Sequence, residues 1–232
     1  GRGETAGETL SLLATDRYRM ALKELTWQPA QPDAEGAVLI PGKVLSDTAK
    51  ALSGGDEVTI SLSTTEAEGE GLAGFVGDGA HGKREATTRL LSQAFPKVRH
   101  LMDVDGTVNV RVATDALLGA VKRVKLVAER NTPLRMVINE DHVTLEAATG
   151  DQAQGTEAIA ATVEVVGDSP SIEAAGFNPQ YLLDALSSLD APFAHFAFTA
   201  PGKPCLITGL ASMDGDQLLD YKHVIMLMRL PG

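Results

Sequence analysis

Residues 13–22 read LATDRYRMAL, a turn followed by a short alternating segment, and this stretch decides how the chain is interpreted. Thr15 and Asp16 indicate the turn, because an Asp side chain can accept a hydrogen bond from the backbone two residues further on. Basic and apolar residues then alternate with the period of two that is typical of a strand: Arg17, Tyr18, Arg19 and Met20. The pattern predicts a turn that leads into a strand with one polar face.

The segment VIMLMRLPG at residues 224–232 is the second informative stretch. Its apolar character predicts a strand, and its methionines suit a surface that accepts several partners, because the thioether side chain is flexible. On these residues alone, a hairpin turn and a terminal strand that fill a core are the simpler explanation of both stretches. The residues alone leave these alternatives open.

The composition is that of a soluble globular protein with one large domain or two of ordinary size. The chain has 232 residues, of which 44% are hydrophobic and 22% charged. The lone Cys205 cannot form an internal disulfide, which fits a reducing compartment. No apolar run approaches the roughly 18 residues that span a membrane, and the polar start GRGETAGETL lacks the apolar region of a signal peptide. We therefore expect a cytoplasmic protein.

The net charge of −11 argues against a protein that wraps nucleic acid with its whole surface. A local basic stripe on an acidic body remains compatible with this charge. Only 4% of the residues are aromatic, which argues against stacking platforms for single-stranded bases.

Hydrophobic periodicity predicts a β-rich chain with three helices. The helices are predicted at residues 42–52, 116–130 and 179–189, the second capped by Thr114 or Asp115 and the third beginning at Asn178 and Pro179. Strands are predicted at 7–13, 18–25, 38–40, 57–63, 72–76, 84–91, 107–113, 134–139, 142–148, 155–165, 193–199, 204–209 and 221–230, with a loop at 27–36 and an acidic hairpin tip at 65–71.

Two parts of the chain resemble each other. TLSLLATD (9–16) parallels VTLEAATG (143–150), and VLIPGKVLSDTAKAL (38–52) parallels AAGFNPQYLLDALSSL (174–189). The repeat predicts two β-rich units with two helices each, covering residues 1–102 and 103–232. The first copy has no room for the helix and strand that precede the motif in the second copy, so we expect an N-terminally truncated first unit.

The sequence offers no catalytic constellation. Residues 69–74 match G-x-G-x-x-G without a following helix, and residues 77–83 match G-x-x-x-x-G-K with Arg84 where a Ser or Thr is required. The five histidines lack metal-ligand spacing, and Cys205 has no cysteine partner for a zinc site. We therefore expect a binding or scaffolding protein without a cofactor or metal.

Basic residues cluster on two of the predicted helices of this acidic chain. They are Lys43 and Lys50 on the first helix, and Lys122, Arg123 and Lys125 on the second. Pattern alone is compatible with ordinary solvated helix faces.

Several separated segments, in the same order, give the chain a specific resemblance. They are ATDRYRMA (14–21), AVLIPGKVLSDTAKAL (37–52), TTRLLSQAFPKVR (87–99), FNPQYLLDALSSL (177–189), TAPGKPCLI (199–207) and the terminal MLMRLPG. The sequence resembles the bacterial DNA polymerase III beta subunit, the DNA sliding clamp, and its wording is most similar to the actinobacterial type. The resemblance runs over essentially the whole chain.

This resemblance implies an α+β DNA-clamp fold of repeated units, each with outer antiparallel sheets and two inner helices, the first unit being incomplete. It implies a processivity factor that encircles duplex DNA without reading its sequence, as a non-catalytic subunit of the DNA polymerase III holoenzyme. The basic residues would then face the DNA phosphates.

The resemblance also implies a hydrophobic pocket for short peptides of the polymerase III alpha subunit, the clamp loader and repair polymerases. Carried over by motif, its residues are Thr15, Arg17, Tyr18, Arg19, Met20, Pro96, Leu101, Pro204, Val224, Met226, Leu227, Met228, Arg229 and Leu230. Aliphatic and Met side chains would bury peptide anchors, and Arg19 or Arg229 would bind peptide carbonyls or acids. Leu227 stands where the family usually has Pro, so we expect a pocket floor of different shape.

Leu126 and Val127 match positions at which clamp subunits pack against each other in the family's homodimeric ring. Ordinary core packing is the alternative interpretation of these two residues. A chain with fewer than two full domains is not expected to close a ring alone. The alternative function is therefore that of a truncated clamp paralogue, which binds peptides without encircling DNA.

Overall fold

The computed structural model describes residues 1–33, 35–64, 71–129, 131–149 and 152–230. The chain divides into two compact units: Gly1–Thr15 with Lys23–Lys97, and Asp16–Leu22 with Val98–Gly232. The short segment Asp16–Leu22 thus belongs with the C-terminal part of the chain, a placement that no sequence pattern indicated. The predicted boundary after residue 102 stays a prediction.

Antiparallel strands and one helix make up the described part of the first unit. Its elements are β1 (Arg2–Ala6), β2 (Thr9–Thr15), the later residues of β3 (Arg19–Thr26), β4 (Glu35–Leu39), α1 (Gly42–Ala51), β5 (Val58–Thr64), β6 (Gly71–Gly79) and β7 (Gly82–Arg89). The strand orders are β3-β2-β1-β4 and β5-β6-β7. Helix α1 contacts β6 and β7, and a small core forms around Leu52 and Phe75.

Two strands correct the sequence-based expectations for the first unit. β1 lies where no element was predicted, and β4 begins inside the predicted loop at 27–36. β1 pairs antiparallel with both β2 and β4, so backbone hydrogen bonds on its two edges hold it in place. Its residues RGETA lack the alternation of apolar and polar residues on which strand prediction depends.

The glycine motif at 77–83 lies in the hairpin formed by β6 and β7. Gly79 pairs with Gly82, whose φ of 110° is a conformation that residues with a Cβ rarely adopt. The motif is therefore a tight β-turn and does not open a helix. Residues 65–70, which include most of the predicted acidic tip and the start of the other glycine motif, lie outside the described residues.

The second unit carries a larger antiparallel sheet and two helices. Its elements are the segment Asp16–Leu22, a 3₁₀-helix (Arg99–Met102), β8 (Val108–Ala113), α2 (Thr114–Val127), β9 (Leu134–Ile138), β10 (His142–Thr149), β11 (Gln152–Val165), β12 (Ala174–Phe177), α3 (Pro179–Ser188), β13 (Phe193–Phe198), β14 (Cys205–Leu210) and β15 (Gln217–Ile225). The strand order is β12-β9-β10-β11-β8-β13-β14-β15, and the first residues of β3 follow β15.

The two helices of this unit pack against each other and against the sheet because each has one apolar face. In α2 the buried residues Leu117, Ala120, Val121 and Val124 recur with helical spacing. In α3 the corresponding face includes Leu182 and Leu186, and it contacts α2 and β15. The sheet contributes three mutually packed rings below the helices, Phe177, Phe196 and Phe198.

The start of α2 differs from the expected cap. Ala113 occupies the cap position without a side-chain hydrogen bond, and Thr114 is already the first helical residue. Thr114 donates its backbone N–H to the carbonyl oxygen of Pro192, while its buried hydroxyl has no protein partner among the described residues. The predicted end at residue 130 lies outside the described residues, and α2 itself ends at Val127.

The start of α3 confirms the expectation from Asn178 and Pro179. The Asn178 side chain accepts hydrogen bonds from the backbone N–H groups of Gln180 and Tyr181, and Pro179 occupies the first turn. This cap fixes the first turn of α3, from which the Tyr181 side chain extends.

The last strand also needs correction. A strand was predicted over 221–230, but β15 covers Gln217–Ile225 and the chain then leaves the ladder. Beyond Ile225 the described residues form one isolated bridge, between Gly176 and Met228. The apolar residues of this segment are compatible with a longer strand and also with a strand that ends at Ile225. The hydrogen-bond partners of the backbone determine which of the two forms. In the described part of the chain, no helix is long and apolar enough to cross a membrane.

Candidate functional site

The turn at Asp16 forms as its sequence predicts. One Asp16 carboxylate oxygen accepts the backbone N–H groups of Tyr18 at 3.0 Å and Arg19 at 3.1 Å. These bonds hold Arg17 at a φ of 80°, a left-handed conformation that is uncommon for a residue with a side chain. Burial would raise the pKa of Asp16, but the hydrogen bonds from Tyr18 and Arg19 outweigh it and lower the pKa.

The strand predicted to begin at Tyr18 begins only at Arg19, so Arg17 and Tyr18, the first two residues of the alternating pattern, lie outside it. Tyr18 is 62% exposed, whereas Met20 is 3% exposed and belongs to the core. The turn geometry, which sets Arg17 at positive φ, therefore presents Tyr18 to solvent. The exposed tyrosine ring stacks at 6.5 Å on the ring of Tyr181 from α3.

Arg19 is held by two carboxylates and one aromatic ring. Its Nε donates to Asp16 at 3.1 Å, its Nη1 donates to Asp184 of α3 at 2.5 Å, and its guanidinium carbon lies 4.3 Å from the ring centroid of Tyr181. Burial works to lower the pKa of Arg19, but the hydrogen bonds to Asp184 and Asp16 raise it overall. Arg19 therefore stays protonated at any physiological pH.

The segment after β15 is bonded to both neighbouring segments. The backbone N–H of Met226 donates to Tyr18 O at 2.8 Å, and the backbone N–H of Met228 donates to Gly176 O at 2.8 Å. A Cβ on Gly176 would lie 2.5 Å from the carbonyl oxygen of Met228, so only glycine permits this approach. Residues 226–228 are thus held between the turn and β12.

Side chains of the segment 224–230 divide between the core and the surface. Val224 is 2% exposed, and Leu227 packs against the core of the second unit. Met226 is 41% exposed and Arg229 is also exposed. Met226 itself donates the backbone hydrogen bond to Tyr18, so its exposed apolar side chain lies next to the turn.

The predicted pocket residues are divided between the two units. Thr15 and Pro96 lie in the first unit. Leu101 is half-buried in the 3₁₀-helix, which packs against β15, and Pro204 is half-buried immediately before β14. The arrangement in the second unit thus gathers the turn residues with 224–230.

Four residues that sequence reasoning missed take part in the site: Gln180, Tyr181, Asp184 and His223. Tyr181 and Asp184 are three apart on α3, a spacing that puts them on one helix face. This spacing was a usable signal, but nothing in the sequence indicates that the face meets Arg19.

A buried polar pair underlies Arg19. The Tyr221 hydroxyl and His223 Nδ1 are 2.9 Å apart, and the buried Nε2 of His223 has no protein partner among the described residues. Burial and the positive charge of Arg19 lower the pKa of His223 to about 4, so its ring is neutral at pH 7. Burial raises the pKa of Tyr221.

The basic residues of α2 are exposed, but two of them are engaged within the unit. Arg123 donates to both carboxylate oxygens of Glu157, at 2.5 and 2.9 Å, and Lys125 donates to the side-chain oxygen of Gln180. Lys122 is exposed on the same helix. In the first unit, Lys43 bonds Asp47 at 2.7 Å and Lys50 is exposed in the last turn of α1.

Leu126 and Val127 are not core residues of the second unit. Leu126 is 86% exposed and Val127 is 43% exposed, shortly after the buried Val124. An exposed leucine beside an exposed valine at a helix end is compatible with a contact to another molecule. In the described part of the chain, no group of His, Cys, Asp or Glu side chains is arranged to hold a metal ion.

The fold has the architecture of a replicative processivity clamp. The structure is similar to that of the DNA polymerase sliding clamp from Bacillus subtilis, with a TM-score of 0.79, 25% sequence identity, and coverage of 99% of this chain and 56% of that chain. Family models for the central and C-terminal domains of the DNA polymerase III beta subunit match residues 2–97 and 99–229. The chain belongs to the DNA polymerase III beta subunit family.

Two curated relatives are similar over nearly the full length of the chain. The beta sliding clamp of Streptomyces coelicolor is 44% identical and covers 100% of this chain, which spans 59% of that protein. A beta sliding clamp homolog of Streptomyces muensis is 37% identical over 96% of this chain, which spans 56% of it. The chain thus spans rather more than half the length of these relatives. The resemblance and the α+β clamp fold predicted from the sequence are confirmed.

Proposed function

We propose that this chain is part of a DNA sliding clamp, the processivity factor that tethers DNA polymerase III to duplex DNA. The observation that carries the proposal is the arrangement in the second unit of the turn at Asp16, the first turns of α3 and residues 224–230, which we interpret as a peptide site. Its partners would be short peptide motifs of the polymerase III alpha subunit, the clamp loader and repair polymerases. Such a clamp works by topology and needs no catalytic group.

The chemistry of this site suits an extended apolar peptide. The side chains of Tyr18 and Met226 are both exposed, and the backbones of these two residues are joined by a hydrogen bond. Arg19 and Arg229 add polar groups at the edge of this apolar surface. Peptide sites commonly combine a few apolar anchor positions with polar groups that fix orientation. Leu227, where the family usually has Pro, packs into the core and would leave the outer wall to Met226 and Met228.

The exposed cations on α1 and α2 support contact with DNA phosphates. Lys43, Lys50, Lys122, Arg123 and Lys125 would neutralise phosphates without contacting base edges, which permits sliding. The exposed Leu126 and Val127 support a contact with a second subunit in a homodimeric ring. The cytoplasmic location expected from composition stays a prediction.

The peptide site is tested by titrating a fluorescent peptide of the Gln-Leu-x-Leu-Phe type against the chain and following its anisotropy. We expect saturable binding that is lost in Met228→Asp, because a charge in an apolar site is strongly unfavourable. Met213→Asp, in the loop between β14 and β15, is the matched control and should bind as the unchanged chain does. A folded chain that does not bind the peptide would overturn the proposal.

A second experiment separates a clamp from the alternative, a peptide-binding module that does not encircle DNA. Retention of the assembled protein on circular duplex DNA, released by linearisation, is expected only of a closed ring. Peptide binding without such retention would favour the module.

A further inference from the structure

We propose that Asp184 is a positioning residue of the peptide site: it holds Arg19, and through Arg19 the turn at Asp16, in the conformation that receives the peptide. The inference rests on the proposed function of the site. Arg19 then positions the turn and does not itself bind a peptide acid, because its guanidinium already pairs with Asp16 and Asp184.

The contacts of Arg19 leave it little capacity to bind a peptide acid. Two of its nitrogens donate to Asp16 and Asp184, and one face of the guanidinium covers the ring of Tyr181 at 4.3 Å. The two ion pairs of Arg19 set one cation against two carboxylates, which reduces the positive charge that Arg19 presents to a ligand. Electrostatic attraction of an acidic peptide side chain to Arg19 is therefore weak.

Asp184 is itself held in place by its own helix. Its second carboxylate oxygen accepts from Gln180 Nε2 at 2.7 Å, one helical turn earlier, and Gln180 accepts in turn from Lys125 of α2. Both oxygens of Asp184 are thus engaged before any ligand arrives. Burial would raise the pKa of Asp184, but hydrogen bonds from Arg19 and Gln180 lower it, so the carboxylate is charged at pH 7.

The position of Arg19 reaches the peptide site through Asp16. The same carboxylate that accepts from Arg19 Nε also accepts from the backbone of Tyr18 and Arg19 through its other oxygen. Tyr18 then offers its carbonyl oxygen to Met226 and its ring to Tyr181. Loss of Asp184 would free Arg19 on the α3 side and loosen the turn, the tyrosine stack and the start of residues 226–230 together.

The test is a double-mutant cycle in the peptide titration described above. Asp184→Asn keeps the size of the side chain and removes its charge, and we expect it to weaken peptide binding about two- to fivefold, the range of a partly exposed charged contact. In an Arg19→Gln background, the same Asp184→Asn change should have no further effect, because Asp184 acts through Arg19. Asp184→Glu should restore part of the affinity.

Asp190→Asn, the same charge change just after α3 at an exposed position, is the matched control and should bind as the unchanged chain does. The Arg19 Nε–H resonance gives a readout independent of the peptide: it should shift and exchange faster with water in Asp184→Asn only. Thermal unfolding shows that each variant is folded.

Three results overturn the inference. Equal peptide affinity of Asp184→Asn and the unchanged chain overturns it while leaving the proposed function intact. Additive losses in the cycle overturn it, since they mean that Asp184 and Arg19 act separately. No peptide binding by the unchanged chain overturns both the inference and the proposed function.

Discussion

The backbone N–H of Met226 donates to the carbonyl oxygen of Tyr18 at 2.8 Å, which joins two segments that lie far apart in the sequence. Two residues later, Met228 makes the equivalent bond to Gly176. The backbone N–H groups of Met226 and Met228 therefore donate to two different segments of the chain, one at Tyr18 and the other at Gly176. The conformation of this segment depends on both partners.

Gly176→Ala should release residues 226–230 from β12. The new Cβ would lie 2.5 Å from Met228 O, and moving that residue away would break the hydrogen bond from its backbone N–H to Gly176 O. We expect the free energy of unfolding to fall by about 1–3 kcal/mol, the usual cost of overpacking, and peptide affinity to fall as well. Urea unfolding measures the first effect. Gly74→Ala, where the nearest atom is 3.9 Å away, is the control, and a similar loss there would contradict this explanation.

Acid should destabilise the second unit through its buried histidines. The pKa of His223 and of His195 is lowered from 6.5 to about 4, mainly by burial, so between these values the unfolded chain binds protons that the folded chain does not. Their stabilising contribution is complete above pH 6.5 and is lost as the pH falls toward 4. The loss amounts to at most about 3 kcal/mol for each histidine.

Urea unfolding at a series of pH values checks this linkage. His223→Gln should remove about one proton from the pH dependence, a slope of roughly 1.4 kcal/mol per pH unit within the window. His100→Gln, at an exposed position, should leave the slope as it is. An unchanged slope in His223→Gln would mean that His223 is charged in the folded protein.

Glu157→Gln should tighten the binding of duplex DNA. Glu157 holds Arg123 through two hydrogen bonds, and its removal frees that guanidinium for phosphate contact. We expect the slope of log affinity against log salt to steepen by about 0.9, the value for one additional phosphate contact. Anisotropy of a labelled duplex at several salt concentrations measures it. Glu164→Gln removes the same charge from the same strand, and an equal gain there would show a general charge effect only.

Leu126→Ser should leave the fold intact and change association. Leu126 is 86% exposed, so the free energy of unfolding should move by no more than about 0.5 kcal/mol. Val124→Ala, at 2% exposure on the same helix, should cost roughly 1–3 kcal/mol. If Leu126 contacts a second subunit, sedimentation analysis will show weaker self-association in Leu126→Ser. Marked destabilisation of Leu126→Ser would assign this residue to the core.

Sequence reasoning succeeded where one element carries its own signal. Helix α1 was predicted one residue too long, and α3 was found from the cap at Asn178 and the Pro that follows it. β8, with VNVRVA, shows the strict alternation of a strand that has one buried face. In each case the residues that determine the element lie inside it or beside it.

The failures occur where partners distant in sequence decide. The polar β1 is a strand because β2 and β4 flank it, and β15 ends at Ile225 because Tyr18 and Gly176 take up the next backbone donors. The ion pair of Arg19 with Asp184 could likewise not be predicted from the sequence. The motif around Arg19 identified this arginine as a site residue, but Asp184, which neutralises it, is 165 positions away.

The membership of Asp16–Leu22 in the second unit has a consequence for the order in which the molecule is made. This segment is synthesised well before α3 and residues 226–228, to which it bonds. Contacts across such long separations form slowly, and domains fold in the order in which their residues emerge. The arrangement around Arg19 is therefore expected to form only after α3 and residues 226–228 have emerged, and a nascent chain stalled before α3 carries the turn without the partners that shape it.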